Sequence, residues 1–182
     1  YDTAGNEYID MAGGIAVNCL GHDHPELTAA ICEQAHKLIH VSNLYYNEPQ
    51  AMLCEKLLEG SIFERMFLCN SGAEANEAAI KLVRKHFFNR GENRTQIITA
   101  QNSFHGRTLA TVTATGQDKY SRPYAPLPPG FIHVPYNDFD ALKQFILDSG
   151  FWGALVFIGL TVFQVVVLPI PDPPIMAITC PL

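Results

Sequence analysis

From residue 25 to residue 40 the apolar side chains Leu27, Ala30, Ile31, Ala35, Leu38 and Ile39 recur every three or four positions, which gathers them on one face of an α-helix. Pro25 heads the run, where its missing N–H costs little because the first turn has no intrahelical acceptor for it. A second helix is predicted from Glu48-Pro49 through Met52, Leu53, Leu57 and Leu58, ending at Gly60. Ahead of both, YDTAGNEYIDM, residues 1–11, reads as a strand, a Gly-Asn turn and a second strand.

The period then changes. ERMFLCN (64–70) and TQIITA (95–100) are short apolar runs bounded by turn residues, with a helical pattern over 73–88 between them. That is the pattern of a β-α-β unit. FIHV (131–134), a capped helix from Asp138 to Leu147 and GALVFI (153–158) continue the alternation. The fold class predicted is α/β with a mostly parallel sheet. YSRPYAPLPPG (120–130) is Pro-rich and reads as an irregular crossing loop. No repeat or low-complexity block interrupts the chain.

Two polar turns stand where such a sheet places ligands, at the carboxyl ends of strands. The first is Asn70-Ser71-Gly72-Ala73. Gly72 lets backbone approach closely, Ser71 offers a hydroxyl, and the first N–H groups of the helix have no intrahelical partner, so the turn suits a phosphate. The same residues also spell a capping box, Ser71 with Glu74, and both readings stand. The second turn is NSFHGRT, residues 102–108. Phe104 could cover a planar ring, Gly106 permits close packing, and Arg107 presents a fork that fits a carboxylate. Together the turns read as a site for an aromatic phosphate and a carboxylate-bearing substrate.

Composition narrows the field. Of the 182 residues 48% are hydrophobic and 16% charged, which is globular rather than disordered. A net charge of −6 with scattered basic residues argues against nucleic acid as a partner. Five cysteines without a CxxC pair, mostly in apolar surroundings, read as reduced, buried thiols in a cytoplasmic setting. In His22-Asp23-His24, Asp23 reads as a helix cap and nothing completes a metal set, so no metal is expected. Tyr45-Tyr46 lacks the basic interleaving of a base-stacking platform. Tyr1 opens in mid-pattern, without Met or a targeting peptide, and the chain reads as a fragment.

DMAGGIAVNCLGHDHP, HVSNLYYNEPQ, CNSGAEANEAAIKL and FHGRTLATVTATGQDKY resemble, in order and spacing, the class-III pyridoxal-phosphate-dependent aminotransferases, over residues 1 to about 157. The resemblance implies the large domain of a fold-type I transferase, incomplete here, with part of the N-terminal segment. It divides the chain into an N-terminal segment (1–60), a partial cofactor-binding domain (61–158) and a divergent tail (159–182). It implies pyridoxal 5′-phosphate (PLP) as cofactor, held by Ser71, Gly72, Ala73, Phe104 and His105. Arg107 would hold the substrate carboxylate, with Asn18, Tyr45 and Glu48 at the active-site entrance or dimer interface. The implied reaction moves an amino group from an omega-amino donor such as N-acetylornithine to 2-oxoglutarate, in a homodimer. Ornithine and 4-aminobutyrate are the alternative donors, and a non-catalytic remnant is the alternative class. The family's cofactor-carrying lysine lies beyond the segments matched, and none of the six lysines here stands in its context, so the chain alone is expected to be inactive.

The end of the chain departs from the family. Gln164, Val165 and Val166 stand where the resemblance leads one to expect a glutamate and glycines. Residues 151–168 carry no charge, which reaches the lower limit for a membrane span; β-branched composition and the lack of a basic flank favour strands instead.

Overall fold

The computed structural model describes residues 1–148, 154–156 and 165–168. Its contacts divide the chain into two units, Tyr1–Lys56 and Leu57–Leu182.

The first unit holds a one-turn helix, α1 (Gly13–Ala16), then α2 (Pro25–Lys37) and most of α3 (Glu48–Leu58). Pro25 is the first residue of α2, as its fixed φ favours. No residue of the unit is buried. The predicted hairpin does not form. Asp2 instead folds residues 1–8 around its own carboxylate, which accepts from the N–H groups of Ala4 and Asn6, at 2.9 Å each, and from Asn6 Nδ2 and Tyr8 Oη. These bonds, the Asn6 side chain's foremost, lower the Asp2 pKa to about 2, and they give the backbone a local alternative to a ladder. Asp23 is not the cap of α2 either. His24 occupies that position without a side-chain bond, and Asp23, at φ 52°, accepts from Thr28 Oγ1.

The second unit contains β1 (Arg65–Leu68), α4 (Gly72–Asn89), β2 (Gln96–Ala100), α5 (Leu109–Ala114), α6 (Asp118–Ser121), a 3-10 turn (Arg122–Tyr124), β3 (Phe131–Val134), α7 (Phe139–Asp148), β4 (Ala154–Val156) and β5 (Val165–Leu168). β2 lies between β3 and β4, parallel to both, with Ile98 opposite Ile132 and Val156. A strand flanked on both edges and covered on its faces has no solvent side: after the exposed Gln96, residues Ile97 to Ala100 are all buried, Ile98 with 0% of its surface exposed, and the polar Thr99 among them donates to the Ala114 carbonyl at 2.7 Å. α4 turns Ala75, Asn76, Ala79, Ile80 and Val83 inward, one stripe at helical spacing.

The 64–70 and 95–100 strands do not form the expected β-α-β unit, since they lie in different sheets. Both edges of β2 are taken by β3 and β4, and β1 pairs antiparallel with β5, Phe67 opposite Val166. The 120–130 stretch is more ordered than a crossing loop, since α6 and the 3-10 turn occupy its first half. The Asp138 cap is as expected, its carboxylate accepting from Ala141 N at 2.9 Å. The cysteines are not the buried thiols expected: Cys19 and Cys32 are exposed and Cys54 and Cys69 half-buried, three of the four lying in or beside the unit that has no interior. Cys180 lies outside the described residues. Of 151–168, residues 154–156 and 165–168 are strands and the rest lie outside the described residues. Among the described residues no helix is long and apolar enough to cross a membrane.

Candidate cofactor-binding half-site

Ser71 is the N-cap of α4, in extended conformation, and its Oγ accepts from Glu74 N at 3.2 Å. The Glu74 carboxylate turns back and accepts from Asn70 N at 2.6 Å and from Asn70 Nδ2 at 3.1 Å. The turn is therefore capped, as one of the two readings held. Capping uses only a lone pair of the hydroxyl, so Ser71 keeps its hydrogen to donate. The N–H groups of Gly72 and Ala73 stand in the first turn, at the positive end of an 18-residue helix. A cap and an anion site are compatible here.

The Phe104-His105-Gly106-Arg107 turn follows β2, and three contacts fix it to the start of α4. Asn76 Nδ2 donates to the His105 carbonyl at 2.7 Å. Thr108 Oγ1 donates to Glu77 Oε1 at 2.5 Å. Between these bonds the backbones nearly touch: a Cβ placed on Gly106 would stand 2.7 Å from Ala73 Cβ and 2.7 Å from Thr111 Oγ1. Gly106 also holds φ at +127°, a conformation that side chains disfavour. Only glycine meets both demands, and the two turns become one surface. Thr108 then starts α5 through a reciprocal capping box with Thr111.

Within that surface the side chains differ in state. Phe104 is 39% exposed, its ring edge-on to Tyr120 at 6.0 Å between centroids. Arg107 is exposed and rests its guanidinium over the Tyr120 ring, 5.4 Å from the centroid. His105 is buried, at 3% exposure, and its backbone N–H donates to Thr115 Oγ1 at 2.9 Å. Burial lowers its pKa to about 4, with the neighbouring His133 adding to the shift, so the imidazole is neutral near pH 7. Its Nδ1 lies 3.3 Å from Ser103 Oγ, which itself donates to the Ala100 carbonyl at 2.6 Å. His105 thus supports the turn from below, while Phe104 and Arg107 are open to a ligand.

A phosphate-bearing ring fits these residues by the chemistry of their donors. They offer a helix start with a hydroxyl, a glycine contact that closes the gap between the turns, and an aromatic face and a cation on the outer side. A separate cavity of about 130 Å³, lined by Thr99, Ala100, Val134, Asp138 and Phe139 among others, opens beside α7 and includes no residue of either turn. Among the described residues no cluster of three metal-ligating side chains occurs.

Asn18, Tyr45 and Glu48 belong to the N-terminal unit. Asn18 Nδ2 lies 3.3 Å from His22 Nδ1, and His22 Nε2 lies 3.1 Å from Asp10 Oδ2. Tyr45 is exposed. Glu48 begins α3 and lines an open groove of about 700 Å³ with Lys37, Leu38, Tyr46 and Met52. Asn76, Thr108 and Tyr120 were not anticipated as parts of the site. A polar Asn76 inside the apolar stripe of α4 is a readable signal; Tyr120 closes the FHGRTLATVTATGQDKY stretch, but its place beside the turn depends on the chain returning there after α5.

Comparison with solved structures gives the fold as that of the fold-type I PLP-dependent aminotransferases. Ornithine aminotransferase from Toxoplasma gondii, whose structure is described with partial occupancy of PLP at its active site, superposes with a TM-score of 0.80 at 29% identity, over 87% of this chain and 38% of that one. Residues 1–148 match the class-III aminotransferases, and the chain belongs to that family. Acetylornithine aminotransferase of Gloeobacter violaceus is 57% identical over 149 residues, 81% of this chain. Succinylornithine transaminase of Photorhabdus laumondii subsp. laumondii is 51% identical over 150 residues, 82% of this chain. The chain spans 37% of the length of each of these two relatives.

Proposed function

We propose that this chain is the part of an aminotransferase that holds the cofactor phosphate and ring and receives the substrate carboxylate. The Gly106 contact with Ala73 carries the proposal, because it makes one cradle of two turns 33 positions apart. In the bound state the Ser71 hydroxyl and the N–H groups of Gly72 and Ala73 bind the phosphate, aided by the helix dipole. Phe104 covers one face of the ring, His105 holds the turn as a neutral imidazole, and Arg107 orients the substrate through its carboxylate. PLP, when bound, supplies the electron sink for moving the amino group.

The donor we assign is an N-acylated ornithine, with 2-oxoglutarate as acceptor, in arginine metabolism. Relatives above 50% identity are named for acetylornithine and succinylornithine, whereas the ornithine enzyme of T. gondii stands at 29%. Asn18, Tyr45 and Glu48 belong to the substrate entrance or to the boundary with a second subunit of a homodimer, a role supported by the exposed apolar side chains around them.

Two assays test this. The polypeptide of the complete open reading frame should form glutamate from N-acetyl- or N-succinylornithine at least about tenfold more efficiently than from ornithine, a difference of ~1.4 kcal/mol; preference for ornithine or 4-aminobutyrate overturns the donor assignment. Residues 1–182 alone, treated with PLP and borohydride, should yield no stoichiometrically labelled lysine, and one such lysine among the six would refute the inactivity.

A further inference from the structure

We propose that Tyr120 is a positioning residue that aims Arg107 and Phe104 into the cofactor and substrate site. The inference rests on the reading of those two residues given above and adds what holds them. Both are exposed, and an exposed arginine or phenylalanine samples several rotamers unless a neighbour selects one. For each the neighbour is the same ring. Phe104 meets Tyr120 edge-on, at 78° between ring planes and 6.0 Å between centroids, and the Arg107 guanidinium lies 5.4 Å from the Tyr120 centroid. These are the geometries in which an aromatic quadrupole attracts a ring edge and a cation.

Tyr120 is itself fixed by the return of residues 116–121 onto the turn. Asn102 N donates to the Gly116 carbonyl at 2.7 Å, and Gly116 N donates to Ser103 Oγ at 3.3 Å. Gln117 Nε2 donates to the Ser103 carbonyl at 3.0 Å, and Tyr120 N donates to the Gln117 carbonyl at 3.0 Å. Gly116 permits the approach, since a Cβ there would collide with the Ala100 carbonyl oxygen and stand 2.8 Å from Gln101 Cα. The segment that supplies Tyr120 is therefore tied to the backbone it orients. The hydroxyl of Tyr120 plays no part in either ring contact, so a phenylalanine should replace it.

Two ligands without a reactive aldehyde separate positioning from folding when titrated into residues 1–182. Pyridoxamine 5′-phosphate reports the phosphate and ring contacts. Phosphopyridoxyl-alanine, the reduced adduct of PLP with alanine, adds the carboxylate, so the ratio of the two affinities reports Arg107. Tyr120→Leu should reduce that ratio roughly fivefold. It should leave competition by inorganic phosphate unchanged, which shows that the Ser71 cradle is still folded. Tyr120→Phe should restore the wild-type ratio, and Tyr120→Leu should have no further effect on it in an Arg107→Ala background. A wild-type ratio in Tyr120→Leu, or equal losses in the presence and absence of Arg107, would overturn the positioning role. If wild-type protein shows no advantage for the carboxylate ligand, the assignment of Arg107 fails first and the role of Tyr120 falls with it.

Discussion

Ile31 in α2 and Ile98 in β2 both sit where the hydrophobic pattern places an inward-facing side chain, yet Ile31 is 61% exposed and Ile98 is 0% exposed. The same contrast runs through the two units. In Tyr1–Lys56 the two predicted helices, α2 and α3, form at their expected positions, and their apolar faces, including Leu27, Ile31, Met52 and Leu53, remain open. In the second unit, α4 buries one stripe (Ala75, Ala79, Ile80 and Val83) while leaving Leu82 and Phe88 exposed, and β2 buries Ile97, Ile98 and Ala100. Periodicity specifies that a helix has an apolar face; what covers the face is a tertiary matter that no local pattern encodes. The unit with an interior is the one that carries the two turns, since side chains hold a defined geometry only where packing beneath them is dense.

Substitutions should expose this difference directly. Ile98→Ala should destabilise the second unit by about 2–5 kcal/mol, the cost of a cavity in a closed core, whereas Ile31→Ala should cost less than ~0.5 kcal/mol because most of its surface is already exposed; urea midpoints measure both. Comparable losses would mean that α2 has a partner that its exposure does not reveal. Gly106→Ala should cost about 3 kcal/mol, from steric overlap with Ala73 and Thr111 and from its positive φ. The same change at Gly91, which also has a positive φ but nothing within 4 Å of its Cβ, should cost only about 1 kcal/mol.

Acid should act on the buried unit through His105. Its folded pKa, about 4, lies below the ordinary 6.5 because burial opposes the charge. Above pH 6.5 the imidazole is neutral in both states and this source of stability is complete. As pH falls towards 4, the unfolded chain takes up a proton that the folded chain refuses, and up to roughly 3 kcal/mol is lost. The loss should appear as a slope in the urea midpoint between those limits and should be absent in His105→Gln.

Much of the second unit was legible in the sequence because its local signals agree with its tertiary environment. Ser71 and Glu74 mark the start of α4, Ile97 and Ile98 mark a strand covered on both faces, and Asp138 announces α7. The errors fall where a side chain or a distant strand outcompetes the local pattern. Asp2 draws the first residues around its carboxylate in place of a hairpin, and β3 and β4 occupy the edges of β2 that β1 was expected to share. The turn residues could be named from their chemistry, but their joining through Gly106 and Asn76 depends on β2 and α4 packing together.

The central claim, that the turns at Ser71 and Phe104 form one cradle for a phosphate-bearing ring, is tested most directly by isothermal titration of residues 1–182 with pyridoxamine 5′-phosphate. The account predicts one saturable site per chain, displaced by inorganic phosphate, weakened about tenfold to a hundredfold by Ser71→Ala through loss of one hydrogen bond to a charged group, and unchanged by Ser61→Ala. Binding that neither competes with phosphate nor depends on Ser71 would contradict it.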